Sequence, residues 1–254
     1  MASLSTPAIL LRTINYGEAD RVVTLFGRST GRLSALARGA RKSQKRFAGG
    51  LGMCTIGEAA LRERAGAELL TLERFDLTDS YMSFGTDVAR MAHAAYVAEL
   101  VSKLCAPRQV EPDVYDWLDV FLRVLDQQGA SAERLRVFEL GLLGRLGLAP
   151  VLETCAVCAG ERCGAQADAV DFRWDPDRGG AVCAACGQRG RPIRTIVRQA
   201  LARLVRTPLE VAAAEPLLPD VNRGCREALA EVVKLHITGT LHSVEFIAKL
   251  GGHV

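Results

Sequence analysis

The 254-residue chain is 49% hydrophobic and 24% charged, with a formal net charge of +3 that by itself argues for no particular partner. Its length and apolar content suit one large or two small globular domains. No stretch of about 20 uncharged apolar residues occurs, and Met-Ala-Ser-Leu-Ser lacks the basic region and apolar run of a signal peptide, so a cytoplasmic location is expected.

Residues 7–78 read as β. The run 8–14 ends at a polar turn over 15–20, and Arg21-Val-Val-Thr-Leu-Phe26 is broken by Gly27-Arg-Ser-Thr-Gly31, a hairpin loop. Arg32-Leu-Ser-Ala-Leu-Ala-Arg38 alternates polar and apolar, as a half-buried strand does. A glycine-rich, basic loop follows to about Gly52, and residues 54–64 and 68–77, joined at Ala65-Gly66-Ala67, supply two more strands. Five short strands in this space suit a small barrel, and an OB-like barrel is the commonest five-stranded choice.

Past residue 81 the period changes to helical. Residues 88–104 form one helix; Val114, Trp117, Leu118, Phe121, Leu122 and Leu125 mark the apolar face of a second; Leu135, Phe138, Leu142 and Leu146 mark a third, stopped at Gly147 and Pro150. Ile193, Ile196, Val197, Ala200, Leu201, Leu204 and Val205 make an amphipathic face with Pro192 placed at its start, and a last long helix runs from near Asp220 to Ile237. Residues 243–250 offer a further short one. The fold class is therefore α+β: an OB-like barrel over 1–80, then a helical domain over 81–254 with an insertion at about 152–190.

That insertion carries two CxxC turns, Cys155-Ala-Val-Cys158 and Cys183-Ala-Ala-Cys186, with 24 residues between them. Each turn presents two thiolates, and two facing turns give the four-sulfur tetrahedron that Zn²⁺ prefers. With all four positions taken by protein, such a zinc ion is structural. The competing reading is a pair of disulfides or four buried thiols, but nothing else in the chain points to an oxidising compartment. Cys163 lies inside the insertion as a substitute ligand, whereas Cys54, Cys105 and Cys225 read as small buried hydrophobes.

Catalytic signatures are missing: there is no phosphate loop, no HExxH, and no HxE of a zinc deaminase, so no enzyme is expected. Charge distribution says more. Arg28, Arg32, Arg38, Arg41, Lys42, Lys45 and Arg46 occupy an acid-free stretch, which is the footprint of phosphate-backbone contact. Of the nearby rings, Tyr16, Phe26 and Phe47, too few are available for stacking to dominate. In a second acid-free stretch, Arg191, Arg194 and Arg198 can extend such a track or hold an acidic peptide. An ordinary solvated helix face explains them equally well.

Together, Asp20-Arg-Val-Val-Thr-Leu-Phe26, Gly31-Arg-Leu-Ser-Ala-Leu-Ala-Arg-Gly-Ala-Arg-Lys42, the stretch 142–150 leading into the first knuckle, and His242-Ser-Val-Glu-Phe246 resemble the bacterial DNA repair family RecO. The resemblance spans nearly the whole chain and rests on order and spacing. It implies an OB barrel, a helical domain with a zinc insertion, binding to single- and double-stranded DNA, and annealing of complementary strands. It also implies partnership with RecR in loading RecA onto DNA coated by single-strand binding protein. DNA contact then falls on Arg32, Arg38, Arg41 and Lys42, and one zinc ion on Cys155, Cys158, Cys183 and Cys186; the resemblance places the acidic tail of single-strand binding protein on the helical domain, where Arg191, Arg194 and Arg198 are charge partners by their sign and not by an aligned motif. The rival classes are a zinc-containing interaction scaffold and an RNA-binding or transcription factor.

Overall fold

A computed structural model describes residues 3–43, 45–47, 50–63, 69–160, 171–244 and 247. Five strands, β1 (Ser3–Tyr16), β2 (Asp20–Gly27), β3 (Gly31–Ala37), β4 (Ile56–Arg62) and β5 (Leu70–Asp79), close into a barrel in the order β1-β2-β3-β5-β4. β1 is long enough to serve both sides: its first half pairs with β4 and its second half with β2, the register shifting between Leu10 and Arg12. Closure comes from a short parallel contact, Ala35 with Leu70 and Leu36 with Thr71. This strand order makes the barrel OB-like.

Period-two alternation puts Val23, Leu25, Leu33, Ala35, Leu61, Leu72 and Phe75 inside the barrel. Phe47 and Leu51, from the connection between β3 and β4, enter the same core. The basic loop is thus anchored over one end of the barrel by two apolar side chains. The stretch beside β3 that β5 leaves uncovered is met by residues 107–109. There the Arg108 N–H donates to the Arg32 carbonyl at 2.9 Å. Gly31 sits at φ +68°, and a Cβ on it would lie 1.8 Å from the Gln109 carbonyl oxygen, so this approach needs glycine.

Compactness divides the chain into two units. The first runs through Gly129 and takes in the stretch from Leu241; the second is Ala130–Thr240. The change from strands to helices near residue 81 is present, but the first two helices belong with the barrel unit. They are α1 (Val88–Leu104), capped by the Asp87 carboxylate accepting from Ala89 and Arg90 N–H, and α2 (Pro112–Gln128), with its proline in the first turn. In α2 the apolar face is buried as its spacing predicts, at Val114, Leu118, Phe121, Leu122 and Leu125.

The second unit packs α3 (Ala132–Arg145), α4 (Thr195–Val205) and α5 (Pro219–His236) against one another. Every residue of α3 from Glu133 to Leu140 is buried, charged ones included. Glu133 accepts the Leu217 N–H at 2.8 Å, and Arg136 lies 3.2 Å from Glu139. Between α3 and α4, strands β6 (Phe172–Asp175), β7 (Gly180–Cys183) and β8 (Arg191–Pro192) form a small sheet in the order β7-β6-β8. Here the structure corrects one expectation: Pro192 does not open a helix but pairs with Arg173 in the sheet, and the helix starts three residues later at Thr195. The sheet edge uses proline where no N–H is needed. The expected turn at Ala65-Gly66-Ala67 lies outside the described residues, as does most of the short helix over 243–250, of which 243, 244 and 247 are helical.

Candidate metal centre and basic surface

The four sulfurs of Cys155, Cys158, Cys183 and Cys186 lie within 4.8 Å of one another, with Cys158 and Cys183 at 4.0 Å. Tetrahedral bonds of about 2.3 Å to a zinc ion require sulfurs about 3.8 Å apart, so the donor set fits a tetrahedral metal. The backbone builds it. Cys155 and Cys158 sit on a tight turn closed by Ala159 N–H donating to Cys155 O at 2.8 Å, with Ala159 at φ +50°. Cys183 ends β7, and Cys186 N–H returns to Cys183 O at 3.0 Å. The turns are brought face to face because Val151 and Ala156 bond β7, through Ala181 N–H to Val151 O at 2.9 Å and Ala156 N–H to Ala181 O at 2.8 Å. Gly180 permits this: a Cβ there would meet the Val151 oxygen at 2.4 Å.

Burial tends to raise the Cys155 thiol, but N–H groups of Cys183, Cys158 and Val157 aimed at its sulfur outweigh that and hold it below the ordinary cysteine value. Such N–H···S bonds favour the thiolate, the form that ligates metal. Cys163 lies outside the described residues. The sheet behind the centre is tied to the helices by Trp174, fully buried, whose Nε1 donates to Ala228 O at 3.1 Å.

The basic stretch is divided by its partners. Arg28 makes a two-pronged pair with Asp116 at 2.8 Å, which raises the guanidinium and lowers the carboxyl. Arg32 is half-buried, its Nε donating to Cys105 O at 3.0 Å. Arg38, Arg41, Lys42, Lys45 and Arg46 are exposed and meet no carboxylate among the described residues. Two of them brace the loop instead: Arg41 donates to Glu18 O at 3.0 Å, Arg46 to Arg38 O at 2.8 Å, and the Arg46 guanidinium stands 5.3 Å from the centre of the buried Phe47 ring. The Asp20 carboxylate accepts the Gly39 N–H at 2.7 Å. The result is a pinned loop with its cations outward. Arg12 on β1, which stands alone in sequence and escapes a search for charge runs, is likewise exposed and without a carboxylate partner among the described residues.

The second group does not form one surface. Arg191 pairs with Glu231 at 2.6 Å and Arg194 with Asp220 at 2.7 Å. Arg198 is a correction: at 4% exposure it faces inward, donating to the Leu152 and Glu153 carbonyls at 2.8 and 3.2 Å, with its guanidinium 4.5 Å over the Phe172 ring. It fastens α4 to the segment leading into the first knuckle.

Among the described residues, no helix is long and apolar enough to cross a membrane. Two family models match: recombination protein O N terminal over residues 1–81 and recombination protein O C terminal over 85–245. The DNA repair protein RecO of Anaeromyxobacter sp. (strain K) is 37% identical over 254 residues, covering 99% of this chain and 98% of that protein. Those of Anaeromyxobacter dehalogenans (strain 2CP-1) and Myxococcus xanthus are 38% and 33% identical over 96% of this chain, covering 95% and 96% of their own lengths. Since the two models together match nearly the whole chain and these relatives are 33–38% identical over 96–99% of it, the chain belongs to the RecO family of DNA repair proteins.

Proposed function

We propose that the chain is a non-enzymatic recombination mediator in the cytoplasm and nucleoid. In this reading it binds single- and double-stranded DNA on the barrel, residues 1–80, anneals complementary strands, and with RecR helps load RecA onto DNA coated by single-strand binding protein. The observation that carries this reading is the set of exposed cations at Arg38, Arg41, Lys42, Lys45 and Arg46, which meet no carboxylate among the described residues, on a loop that Phe47 and Leu51 hold in place. A protein that needs such charge only for solubility gains nothing by leaving it uncompensated on one side. Phosphates are its natural counter-ions.

Annealing needs no covalent step. Cations between two strands screen backbone repulsion and raise the local strand concentration, while base pairing drives the reaction. The metal in the Cys₄ centre is zinc in this proposal. Four protein ligands leave no open position, so it holds the β7 turn against the Val151–Ala156 segment rather than acting on substrate. For the acidic tail of single-strand binding protein, Arg191 and Arg194 are the accessible members of the expected set, and a tail carboxylate must displace Glu231 or Asp220 to reach them.

The test is equilibrium binding to single-stranded oligonucleotides across a salt series, paired with nucleotide-free annealing. Replacing Arg38, Arg41 and Lys42 together by Glu removes three phosphate contacts and should lower the salt-dependence slope by about 2, at about 0.7 per contact. Annealing should slow with it. An unchanged slope in a folded variant would remove this loop from the interface, and a stronger affinity for RNA would favour a different nucleic-acid role.

A further inference from the structure

The small sheet of the second unit ends in a cleft of about 550 Å³, within the range of about 300–1,000 Å³ in which proteins hold small ligands. It opens where β6 gives way to a short 3-10 turn, Pro176–Arg178, and where β8 begins at Arg191. The backbone there is set by Arg173, which donates to Arg189 O at 3.2 Å and to Gly190 O at 3.1 and 2.7 Å. Gly190, at φ +79°, comes so close to β6 that a Cβ on it would stand 2.2 Å from Trp174 O and 3.1 Å from the Asp175 Cβ. That approach covers Asp175, which is 6% exposed, lines the cleft, and makes no side-chain hydrogen bond or ion pair with any described residue. It occupies the N-cap position of the 3-10 turn without capping it. A buried carboxylate that nothing within the protein satisfies costs stability. Cations line the same cleft. Arg178 donates through Nη1 to Cys186 O at 3.0 Å, and Arg191 is held on Glu231 at 2.6 Å. Arg189 is exposed and meets no carboxylate among the described residues.

We infer that this cleft is a binding site for a guanine nucleotide, with the edge of the base on Asp175 and the phosphates toward Arg178 and Arg189. The inference goes beyond the nucleic-acid reading above and does not rest on it. The cleft carries both signs, so a wholly anionic ligand meets the Asp175 carboxylate and a wholly cationic one meets the arginines. The occupant must bring N–H donors at one end and negative charge at the other. Guanine presents N1–H and its 2-amino group side by side, two donors for the two oxygens of one carboxylate. Adenine, cytosine and uracil each place an acceptor beside the donor on that edge, and a carboxylate repels it. Phosphate oxygens are the natural partners of guanidinium groups. An α-amino acid also carries both charges, but it is too small to span a cleft of this volume from Asp175 to the arginines.

The full-length protein, without nucleic acid, is titrated calorimetrically with guanosine diphosphate and with adenosine diphosphate. It should bind the guanosine form about tenfold or more tightly, the worth of one hydrogen bond to a charged acceptor. Asp175→Asn keeps the shape but turns one acceptor into a donor. That variant should lose the preference for guanosine diphosphate and bind xanthosine diphosphate, whose 2-oxo group accepts the new amide N–H, about tenfold better than the unaltered protein does. A merely structural Asp175 would not exchange one base for the other. Arg189→Ala should weaken the guanosine and adenosine forms by the same factor, because it acts on the phosphates. Equal affinity of the unaltered protein for the two diphosphates would overturn base recognition by Asp175. Absence of binding to guanosine diphosphate at millimolar concentration by the folded protein would overturn the site. Either failure leaves the nucleic-acid reading standing, since no strand enters the measurement.

Discussion

Arg194 and Arg198 stand one helical turn apart on or beside α4 and carry the same formal charge into different surroundings. Arg194 reaches an exposed carboxylate, Asp220, in a geometry that solvent and salt largely screen. Arg198 has lost its water and replaced it with two carbonyls and the face of Phe172. Removing it leaves two buried acceptors short of a donor and a gap where the guanidinium was stacked. Arg198→Ala should therefore cost about 3 kcal/mol in urea unfolding, while Arg194→Ala should leave the midpoint within error. Equal effects from both substitutions would show that Arg198 is not a structural strut. Spacing along a helix cannot separate the two, because what buries Arg198 is supplied by residues 152, 153 and 172, remote in the chain. The same blindness applies to Arg28, whose partner Asp116 is 88 positions away. Charge density is legible in a sequence; charge pairing is a property of the fold.

At the level of elements, what could be read depended on whether an element faces one neighbour or several. The strands of the barrel and helix α2 each bury a single face, so alternation and the i, i+3, i+4 spacing announce them. Helix α3 buries Glu133, Arg134, Arg136 and Glu139 along with its leucines, so its apolar signal undersells how central it is. Pro192 misleads because a proline suits both a helix start and a strand edge, and only the pairing with Arg173 decides. The cluster of Cys155, Cys158, Cys183 and Cys186, which could hold a metal ion, was legible because CxxC fixes its own local turn, whereas the sheet that faces the two turns together was not. That sheet makes a prediction about the element rather than the ion. Cys155 receives N–H groups from both knuckles, Val157 from its own and Cys183 from the other. Cys155→Ser should reduce bound zinc and lower the thermal midpoint together, by roughly 5 °C or more, as should stripping the unaltered protein with a chelator. Full metal occupancy in that variant would show that another group completes the tetrahedron.

At the scale of the whole molecule, the path of the chain matters: it leaves the barrel unit at Gly129, builds the second unit, and returns to the first at Leu241. Among the described residues, the side chain of Glu99 fastens the return. Glu99 on α1 accepts the N–H groups of His242 and Ser243 at 3.0 and 2.8 Å and the Ser243 hydroxyl as well, so a carboxylate caps the start of the final helical turn. Partial burial alone would push the Glu99 carboxyl up, but the three donors, with His242 nearby, hold it below its ordinary value of 4.5. A carboxyl whose folded pKa is depressed contributes stability that is complete above the unfolded value and is lost as pH falls through the folded one. The unaltered protein should therefore lose its hold on residues 241–244 on acidification through and below pH 4.5, seen as faster backbone hydrogen exchange there while the barrel strands stay protected. Glu99→Gln keeps the shape but offers one acceptor oxygen and no charge to three donors. Its thermal midpoint should fall below that of the unaltered protein at neutral pH, and the difference should close as the pH drops through this window. A difference that persists unchanged into acid would mean that Glu99 holds the returning chain by packing, and that the charge on its carboxylate contributes nothing to the closure.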